Sequence, residues 1–583
     1  MINFKGARAH KFAESPLLKL RLPAWRSRMI GMLILGGFAI LIGRSFYLQV
    51  LHNEFLQEKG ESRYRRDLEI SASRGRIADR HGDVLAISTP MKSVWAIPAE
   101  ARLTPEQTKQ LAALLEMDAK ELARRLASDK SFVFLQRQLP PEIGDKVAAL
   151  KLPGIGQDRE YRRYYPAGEM TAHMVGFTGV DDKGLEGVEL AFQSQLLGHP
   201  GSRSVIKDRR GQIVEDVGSI KPPQDGKDIR LALDSKIQYL AYTHLKQAVA
   251  DNKAKAGGAV VIDVKTGEIL ALANWPTYNP NNRERLSGAQ LRNRAVTDTF
   301  EPGSTLKPFS VALALEDGKV RFDSIIDCAP GRLTIGTATI SDAHPHGPLT
   351  VAQVIQKSSN VGAAKIAATL TPQQMWEMFD AVGFGQISRL GFPGEVGGRV
   401  RPWKSWRPIE QATMSYGHGI SVSLLQLARA YTVFAREGDL IPLSLTRVDA
   451  TPPSTPVFSQ QTAREMRAML EMAVQPGGTA PRAQIPGYRV AGKTGTAYKL
   501  EGGQYAKKYV ASFVGFAPAS DPRLVVAIMI DEPGGLQHYG GDVAGPTFAS
   551  LMGGALRTLG IPPDTPFPTP KNLTVARAER EAL

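Results

Sequence analysis

Residues 29–43 carry no charged side chain, and after Arg44 the apolar character resumes through Phe46, Tyr47, Leu48, Val50 and Leu51. The hydrocarbon core of a bilayer takes about 20 helical residues, and Arg44 lies near enough to one end for its guanidinium to reach the interface. Ahead of the stretch stand Lys5, Arg8, Lys11, Lys19, Arg21, Arg26 and Arg28, opposed only by Glu14. Such a cationic flank stays in the cytoplasm. The sequence therefore predicts a basic cytoplasmic tail over 1–28 and a transmembrane helix over 29–51, with everything beyond it outside. A cleaved leader would show small residues in an A-x-A pattern after the apolar core. Arg44-Ser45-Phe46-Tyr47-Leu48-Gln49 is mostly bulky, so a retained anchor is expected.

The 583 residues exceed one ordinary domain and suggest three or four units, or two with one large core. A net charge of +15 admits nucleic acid, anionic lipid or an acidic polymer as partner. No zinc-ligand spacing or nucleic-acid motif accompanies the charge, so nucleic acid is not expected. The basic residues are widely spread, and scattered solvated charge accounts for much of the excess. Cys328 is the one cysteine, so no intramolecular disulfide can form. With no histidine close by in sequence, it reads as a buried, inert thiol.

Residues 54–226 are mixed in texture. Helical periodicity spans 104–127, started by Thr104, Pro105 and Glu106. The stretch 217–227, with Lys221-Pro222-Pro223-Gln224-Asp225-Gly226, reads as a linker. Beyond it, 229–233 reads as a strand, and Asp234 caps a helix reaching about residue 249. Apolar runs 258–263 and 268–273 flank Lys265-Thr266-Gly267, a hairpin signature. A helix-rich stretch follows over 306–436, then strand-like runs at 488–491, 510–516 and 524–530. A last helix begins at Pro546 and ends near 559. Strands at both ends with helices between predict an α+β domain whose antiparallel sheet is closed by distant segments. The tail beyond Ile561 is Pro-rich, then charged. No internal repeat is present.

Three short elements carry chemistry. In Glu301-Pro302-Gly303-Ser304-Thr305-Leu306-Lys307-Pro308, Pro-Gly breaks the chain just before an apolar helical pattern. Ser304 then sits at a helix start, where free N–H groups favour an oxyanion. Lys307 lies on the same face, and as a neutral amine it can take the serine proton if burial or nearby positive charge lowers its pKa. Alone the motif is weak: Ser204-Val205-Ile206-Lys207 has the same spacing. Ser358-Ser359-Asn360 is the chain's one S-x-N and lies between two amphipathic runs. Alone it is a helix cap; its possible chemistry is to relay a proton and hold a substrate amide. Lys493-Thr494-Gly495-Thr496 follows the strand-like Arg489-Val490-Ala491-Gly492. Its cation and hydroxyls suit a carboxylate, and Gly495 admits a close extended chain. Lys265-Thr266-Gly267 repeats the pattern, but at a hairpin turn where Thr-Gly is expected for local reasons.

Together and in this order, the three match the motif set of penicillin-interacting serine enzymes, with Ser359 where that set has Asp. The chain resembles a class B penicillin-binding protein from the anchor to about residue 560, and within that family the septal branch. Arg74-Gly75-Arg76-Ile77-Ala78-Asp79-Arg80-His81-Gly82 resembles the family's entry motif. The same holds for Arg163-Tyr164-Tyr165-Pro166 through Gly184-Leu185-Glu186-Gly187-Val188-Glu189, for Lys207-Asp208-Arg209-Arg210-Gly211, for Tyr416-Gly417-His418-Gly419 and for Tyr539-Gly540-Gly541. No glycosyltransferase domain fits between anchor and linker.

The resemblance implies a non-catalytic pedestal over 52–227, a transpeptidase domain over 228–562 with a central antiparallel sheet flanked by helices, and a flexible tail over 563–583. It implies a D,D-transpeptidase that crosslinks cell-wall stem peptides ending in D-Ala-D-Ala during septal synthesis. In that mechanism Ser304 is the nucleophile, Lys307 its base and Ser358 the proton relay. Asn360 holds the peptide, and Lys493, Thr494, Gly495 and Thr496 bind its carboxylate end. The N–H groups of Ser304 and Thr496 form the oxyanion hole. β-Lactams would acylate Ser304. Implied partners are lipid-linked glycan strands, an FtsW-type glycan polymerase and other division proteins, with no metal or organic cofactor. Arg74, Asp79 and Arg80 in the pedestal serve folding as readily as partner contact. The competing readings are an elongation-specific class B enzyme, a β-lactam-hydrolysing enzyme, and a scaffold with a vestigial site.

Overall fold

The computed structural model describes residues 23–51, 65–207, 213–216 and 221–566. Most of the expected 1–28 tail lies outside these residues. So do 208–211 of the Lys207 motif, 217–220 of the linker and most of the 563–583 tail. Helix α1 (Ala24–Phe46) has no buried residue, and a wider π-type turn continues it to Leu51. The span Ala24–Gln49 is the one helix among the described residues long and apolar enough to cross a membrane. At 1.5 Å per residue it is about 39 Å long.

Between the apolar helix and residue 227 a long strand β1 (Val84–Ala96) pairs antiparallel with β2 (Val133–Leu139) and β3 (Ile155–Tyr164). The single helix expected over 104–127 is two, Pro105–Leu114 and Ala119–Leu126. The Asp118 carboxylate accepts from Lys120 N and Glu121 N and starts the second, after Glu116 at φ +49°. A side chain that bonds its own following backbone competes with helix continuation. Val94, Leu111, Leu122, Leu135 and Val147 form a separate core here.

Nearer the chain's second half the packing is continuous. Ile77, Leu85, Met174 and Val188 share one core with Val260, Leu272 and Phe309. Of the entry motif, Arg74 and Asp79 point inward, while Arg76 and His81 are exposed. Arg74 Nε meets Glu189 Oε2 at 2.6 Å and Arg163 Nε meets Glu189 Oε1 at 2.7 Å, with all three side chains buried. The Asp79 carboxylate accepts from the backbone N–H of His81, Gly82 and Asp83. Arg80 and His81 reach across to Glu268 and Asp234, at 3.2 and 2.9 Å.

The second half is built from α2 (Ser235–Asp251), β4 (Ala256–Asp263), β5 (Ile269–Trp275), α3 (Lys307–Glu316), α4 (Val351–Lys357), α5 (Asn360–Ala367), α6 (Leu424–Ala435), α7 (Gln460–Met472), β6 (Ala491–Glu501), β7 (Gln504–Ala517), β8 (Leu524–Asp531) and α8 (Gly545–Thr558). Its sheet has the order β5-β4-β8-β7-β6, antiparallel throughout. Both faces are covered, so β4 and β8 are buried at every position. Alternation survives underneath: Val260, Ile262, Val525 and Ala527 pack against Leu424 and Tyr431 of α6. Ala259, Val261, Val526 and Ile528 pack against Ile237 of α2 and Phe548 of α8. Successive side chains on a strand point to opposite faces, which divides these two cores.

Two strand expectations shift. Only Ile229–Arg230 of 229–233 is a strand, parallel to Ile77–Ala78. The run expected at 488–491 begins at Ala491 and continues to Glu501, so residues 493–496 lie within the strand and not after it. Lys493 and Gly495 carry little strand propensity, yet Lys493 pairs Val514 and Gly495 pairs Ser512 on β7. Neighbouring backbone, not intrinsic preference, extends this strand.

Candidate active site

A 3-10 turn, Gly303–Leu306, delivers Ser304 to the start of α3, whose first residue is Lys307. Gly303 stands at φ +57°, and a Cβ there would lie 2.9 Å from Thr496 O. A Cβ on Gly495 would lie 2.6 Å from Pro302 O. Two glycines thus let the turn lie directly against β6. Thr305 Oγ1 donates to Pro302 O and Tyr431 OH to Thr305 O, both at 2.7 Å, tying the turn to α6.

The polar groups at this junction are buried and connected. Lys307 Nζ donates to Ser304 Oγ at 2.9 Å, to Ser358 Oγ at 3.0 Å and to Ser358 O at 2.6 Å. From β6, Lys493 Nζ approaches the same Ser358 Oγ at 2.9 Å. Thr494 Oγ1 lies 2.9 Å from Thr479 Oγ1, and Thr496 Oγ1 accepts from Gly540 N at 3.0 Å. Ser304, Lys307, Ser358, Asn360, Lys493, Thr494 and Thr496 are each at most 3% exposed. All eight sequence-derived positions thus fall on one wall, from chain segments nearly 200 residues apart.

Ser358 closes α4 in the left-handed region, φ +60°, before Ser359 caps α5 through Gly362 N at 2.8 Å. A non-glycine residue held there stores about 1–3 kcal/mol unless its surroundings over-determine it. Part of that surrounding is Asp342, which the sequence did not single out. Its carboxylate accepts from Ser359 Oγ at 2.7 Å, Asn360 N at 2.6 Å and Val361 N at 3.0 Å. An acid is therefore present beside the S-x-N loop, supplied from outside it. Asn360 Nδ2 donates to Ser341 O at 3.2 Å, while its Oδ1 is buried with no partner among the described residues. A buried acceptor left open is suited to a ligand N–H.

The decoys separate cleanly. Ser204 lies on a strand of the chain's first half, Gly201–Lys207, and 265–267 form a turn whose N–H groups at Lys265 and Thr266 bond Asp263. Cys328 is fully buried, and burial raises its thiol pKa. Next to the nucleophile, Glu301 accepts from Gly419 N at 2.9 Å and Tyr505 OH at 3.1 Å, and burial pushes its carboxyl up. His418 is pushed down to about 4, chiefly by burial, so it stays neutral at pH 7. Among the described residues, no group of three or more His, Cys, Asp or Glu could hold a metal ion.

Residues 257–553 match the family described as "Penicillin binding protein transpeptidase domain", and 69–231 match "Penicillin-binding Protein dimerisation domain". The chain is 45% identical over 536 residues to a Neisseria gonorrhoeae protein named Probable peptidoglycan D,D-transpeptidase PenA, covering 91% of this chain and 92% of that one. It is 42% identical over 549 residues to Escherichia coli Peptidoglycan D,D-transpeptidase FtsI, covering 93% of each. A Burkholderia pseudomallei structure, described as the apo TP domain of penicillin-binding protein 3, is 52% identical, with a TM-score of 0.54 over 58% of this chain and 98% of that one.

Proposed function

Since this chain belongs to the penicillin-binding protein family and is a peptidoglycan D,D-transpeptidase, we propose that it crosslinks septal cell wall through an acyl-enzyme on Ser304. The observation that carries the proposal is the buried chain Ser304 Oγ, Lys307 Nζ, Ser358 Oγ, Lys493 Nζ, with steps of 2.9, 3.0 and 2.9 Å. Two lysines share one hydroxyl there. Burial beside a like charge disfavours both being protonated at once. A neutral Lys307 can then accept the Ser304 proton as Oγ attacks the penultimate D-alanine carbonyl.

The rest follows from placement. Electrons moving onto the carbonyl oxygen would be met by the N–H groups of Ser304 and Thr496, preorganised donors of the kind that lower such barriers most. The C–N bond to the terminal D-alanine breaks, and Ser358 hands its proton to the departing amine while Lys307 replenishes it. Asn360 Oδ1 takes a peptide N–H, and Lys493, Thr494 and Thr496 take the terminal carboxylate. Gly495 lets the Ser304 turn lie against this strand, which keeps the nucleophile beside the carboxylate-binding residues. An amine from a second stem peptide then displaces Ser304. A β-lactam, whose ring amide occupies the same place, would leave a slowly hydrolysed ester.

In this reading α1 is a single-pass inner-membrane anchor with the remainder periplasmic. Residues 52–227 form a pedestal that meets an FtsW-type polymerase and other division proteins, and 228–562 form the catalytic domain. Intact-mass spectrometry after benzylpenicillin treatment should place one adduct on the Ser304 peptide. A Ser304→Ala variant of unchanged fold should carry none. An adduct on any other side chain would overturn the mechanism. Depletion should give filaments; rounded cells would overturn the septal assignment.

A further inference from the structure

A cavity of about 370 Å³ opens at the seam between the two halves of the chain. Leu185, Glu186 and Leu190 bound it from the first half, and Tyr278, Leu291 and Phe392 from the second. Ligand cavities run from about 300 to 1,000 Å³, so this one holds a few side chains and is too small for a folded module. Neither Ser304 nor any other residue of the three motifs lines it. Leu185 and Leu190 are 49% and 40% exposed, so its apolar lining continues outward onto the surface.

Most polar groups around the cavity are committed to the fold. Tyr278 OH donates to Ala172 O at 3.0 Å, and His173 Nε2 lies 2.7 Å from Gln290 O. Asn293 Oδ1 accepts from Asn274 Nδ2 at 2.8 Å, and Asn293 Nδ2 donates to His173 O at 3.3 Å. Arg292 Nε meets Asp298 Oδ1 at 2.6 Å. Glu186 differs. It precedes a helical turn, Gly187–Ala191, without capping it, and among the described residues its carboxylate has no hydrogen bond and no cation within ion-pair distance. It is half-buried, and burial pushes its carboxyl up. A carboxylate so placed among leucines is stabilised by an incoming cation.

One wall of the cavity leads to the catalytic centre. Gly288 and Arg292 line both this cavity and a larger one, of about 910 Å³, which Glu301 also lines. The segment 288–300 is therefore a partition between the two. His173 of the first half ties it at Gln290 and Asn293. At its far end Phe300 pairs Val422, and Glu301 to Ser304 follow directly.

We propose that the seam cavity is a docking pocket for an extended segment of a partner protein, which sets one branched aliphatic side chain among Leu185, Leu190, Leu291 and Phe392 and the cation of an adjoining Lys or Arg on Glu186. Two features select a polypeptide over a small solute. Apolar surface continues out of the cavity on the exposed leucines, and the unanswered carboxylate stands beside the apolar lining, so neighbouring side chains of one chain meet both. The occupant bridges the two halves and packs on Leu291, which braces the partition and with it the turn that presents Ser304. The pocket stands on its own geometry; only its effect on acylation rests on the Ser304 reading.

The test uses the full-length protein in detergent and the peptide N-acetyl-Leu-Lys-amide, with N-acetyl-Leu-Gln-amide as its neutral counterpart and isopentylammonium as a small cation. Saturation-transfer NMR titrations give the affinities. Wild type should bind the lysine peptide about tenfold more tightly than the glutamine peptide, the effect of a hydrogen bond to a charged group. Glu186→Gln should erase that difference, and Leu190→Ala, at an exposed position, should weaken both peptides. Saturating lysine peptide should raise the second-order rate of benzylpenicillin acylation by about 2–30-fold, the range for coupled sites, in wild type and not in Glu186→Gln. No saturable binding, or equal affinity of wild type for the two peptides, would overturn the docking pocket. Isopentylammonium bound as tightly as the lysine peptide would make the occupant a small solute and overturn the partner assignment. Binding that leaves acylation unchanged would overturn the bracing. A wild type that takes no adduct would overturn the Ser304 reading and the bracing with it, while the peptide affinities still decide the pocket.

Discussion

Replacing Asp342 with alanine should slow β-lactam acylation of Ser304 by about a hundredfold, although Asp342 belongs to none of the three sequence motifs. The carboxylate takes three hydrogen bonds, from Ser359 Oγ, Asn360 N and Val361 N. Because Asp342 is half-buried, each is valued near the ordinary net of about 1 kcal/mol, giving about 3 kcal/mol for the set. The left-handed Ser358 just before them needs that restraint, since its own conformation opposes it. Every 1.4 kcal/mol shifts an equilibrium tenfold, so the ordered loop loses about two decades of population against displaced ones. Acylation that needs Ser358 and Asn360 in place falls with it. Asp342→Asn keeps one acceptor oxygen for Asn360 N and Val361 N and should lose less than about tenfold. The assay is the second-order rate of adduct formation by intact mass, with the adduct mapped to Ser304. If Asp342→Ala acylates within twofold of wild type, the loop does not depend on this carboxylate and the reasoning fails.

Two further outcomes concern stability. Glu189→Gln strips the buried carboxylate from Arg74 and Arg163, and removing one partner of such a group costs about 3–5 kcal/mol. The midpoint of the pedestal's thermal transition should drop clearly; an unchanged midpoint would show that the triad is not a keystone. His173, buried with Nε2–H donating to Gln290 O, is pushed down to about 4 by burial, with the Arg294 charge adding to it. Its folded pKa lies below its unfolded value near 6.5, so below pH 6.5 the unfolded chain binds a proton that the fold refuses. Stability should therefore fall between pH 6.5 and 4, by about 2 kcal/mol at pH 5. Urea midpoints at pH 7 and 5 measure it, and His173→Gln should flatten that part of the dependence.

The sequence shows best what depends on spacing and patterning. The anchor, the hairpin around residues 265–267 and the last helix emerge from local rules. Ser304 and Lys307 could be paired because a helix brings third neighbours together. Residues 493–496 show where local reading stops: their strand is continued by pairing with β7, and Lys493 and Gly495 interrupt the local signal that Thr494 and Thr496 give. The helix break at Asp118 was readable in principle, since Asp is a strong cap, but apolar periodicity on both sides masked it. Asp342 and Glu301 gave no signal. Each acts on a loop that only the fold brings near, and an isolated acid in a polar stretch has no distinguishing pattern. The inward-facing Arg74 and Asp79 appeared as motif residues whose direction the sequence could not give.

Strand β6 is the last in its sheet. A guest lying along it would be gripped chiefly through its main chain, so what is measured is distance along the backbone and not the identity of each side chain. Shifting the guest by one residue would carry its carbonyl about 3.3 Å past the nucleophile and turn each side chain to the opposite face. The sheet margin would thus act as a ruler, tolerating varied sequence upstream while fixing how far the bond to be broken lies from the free end.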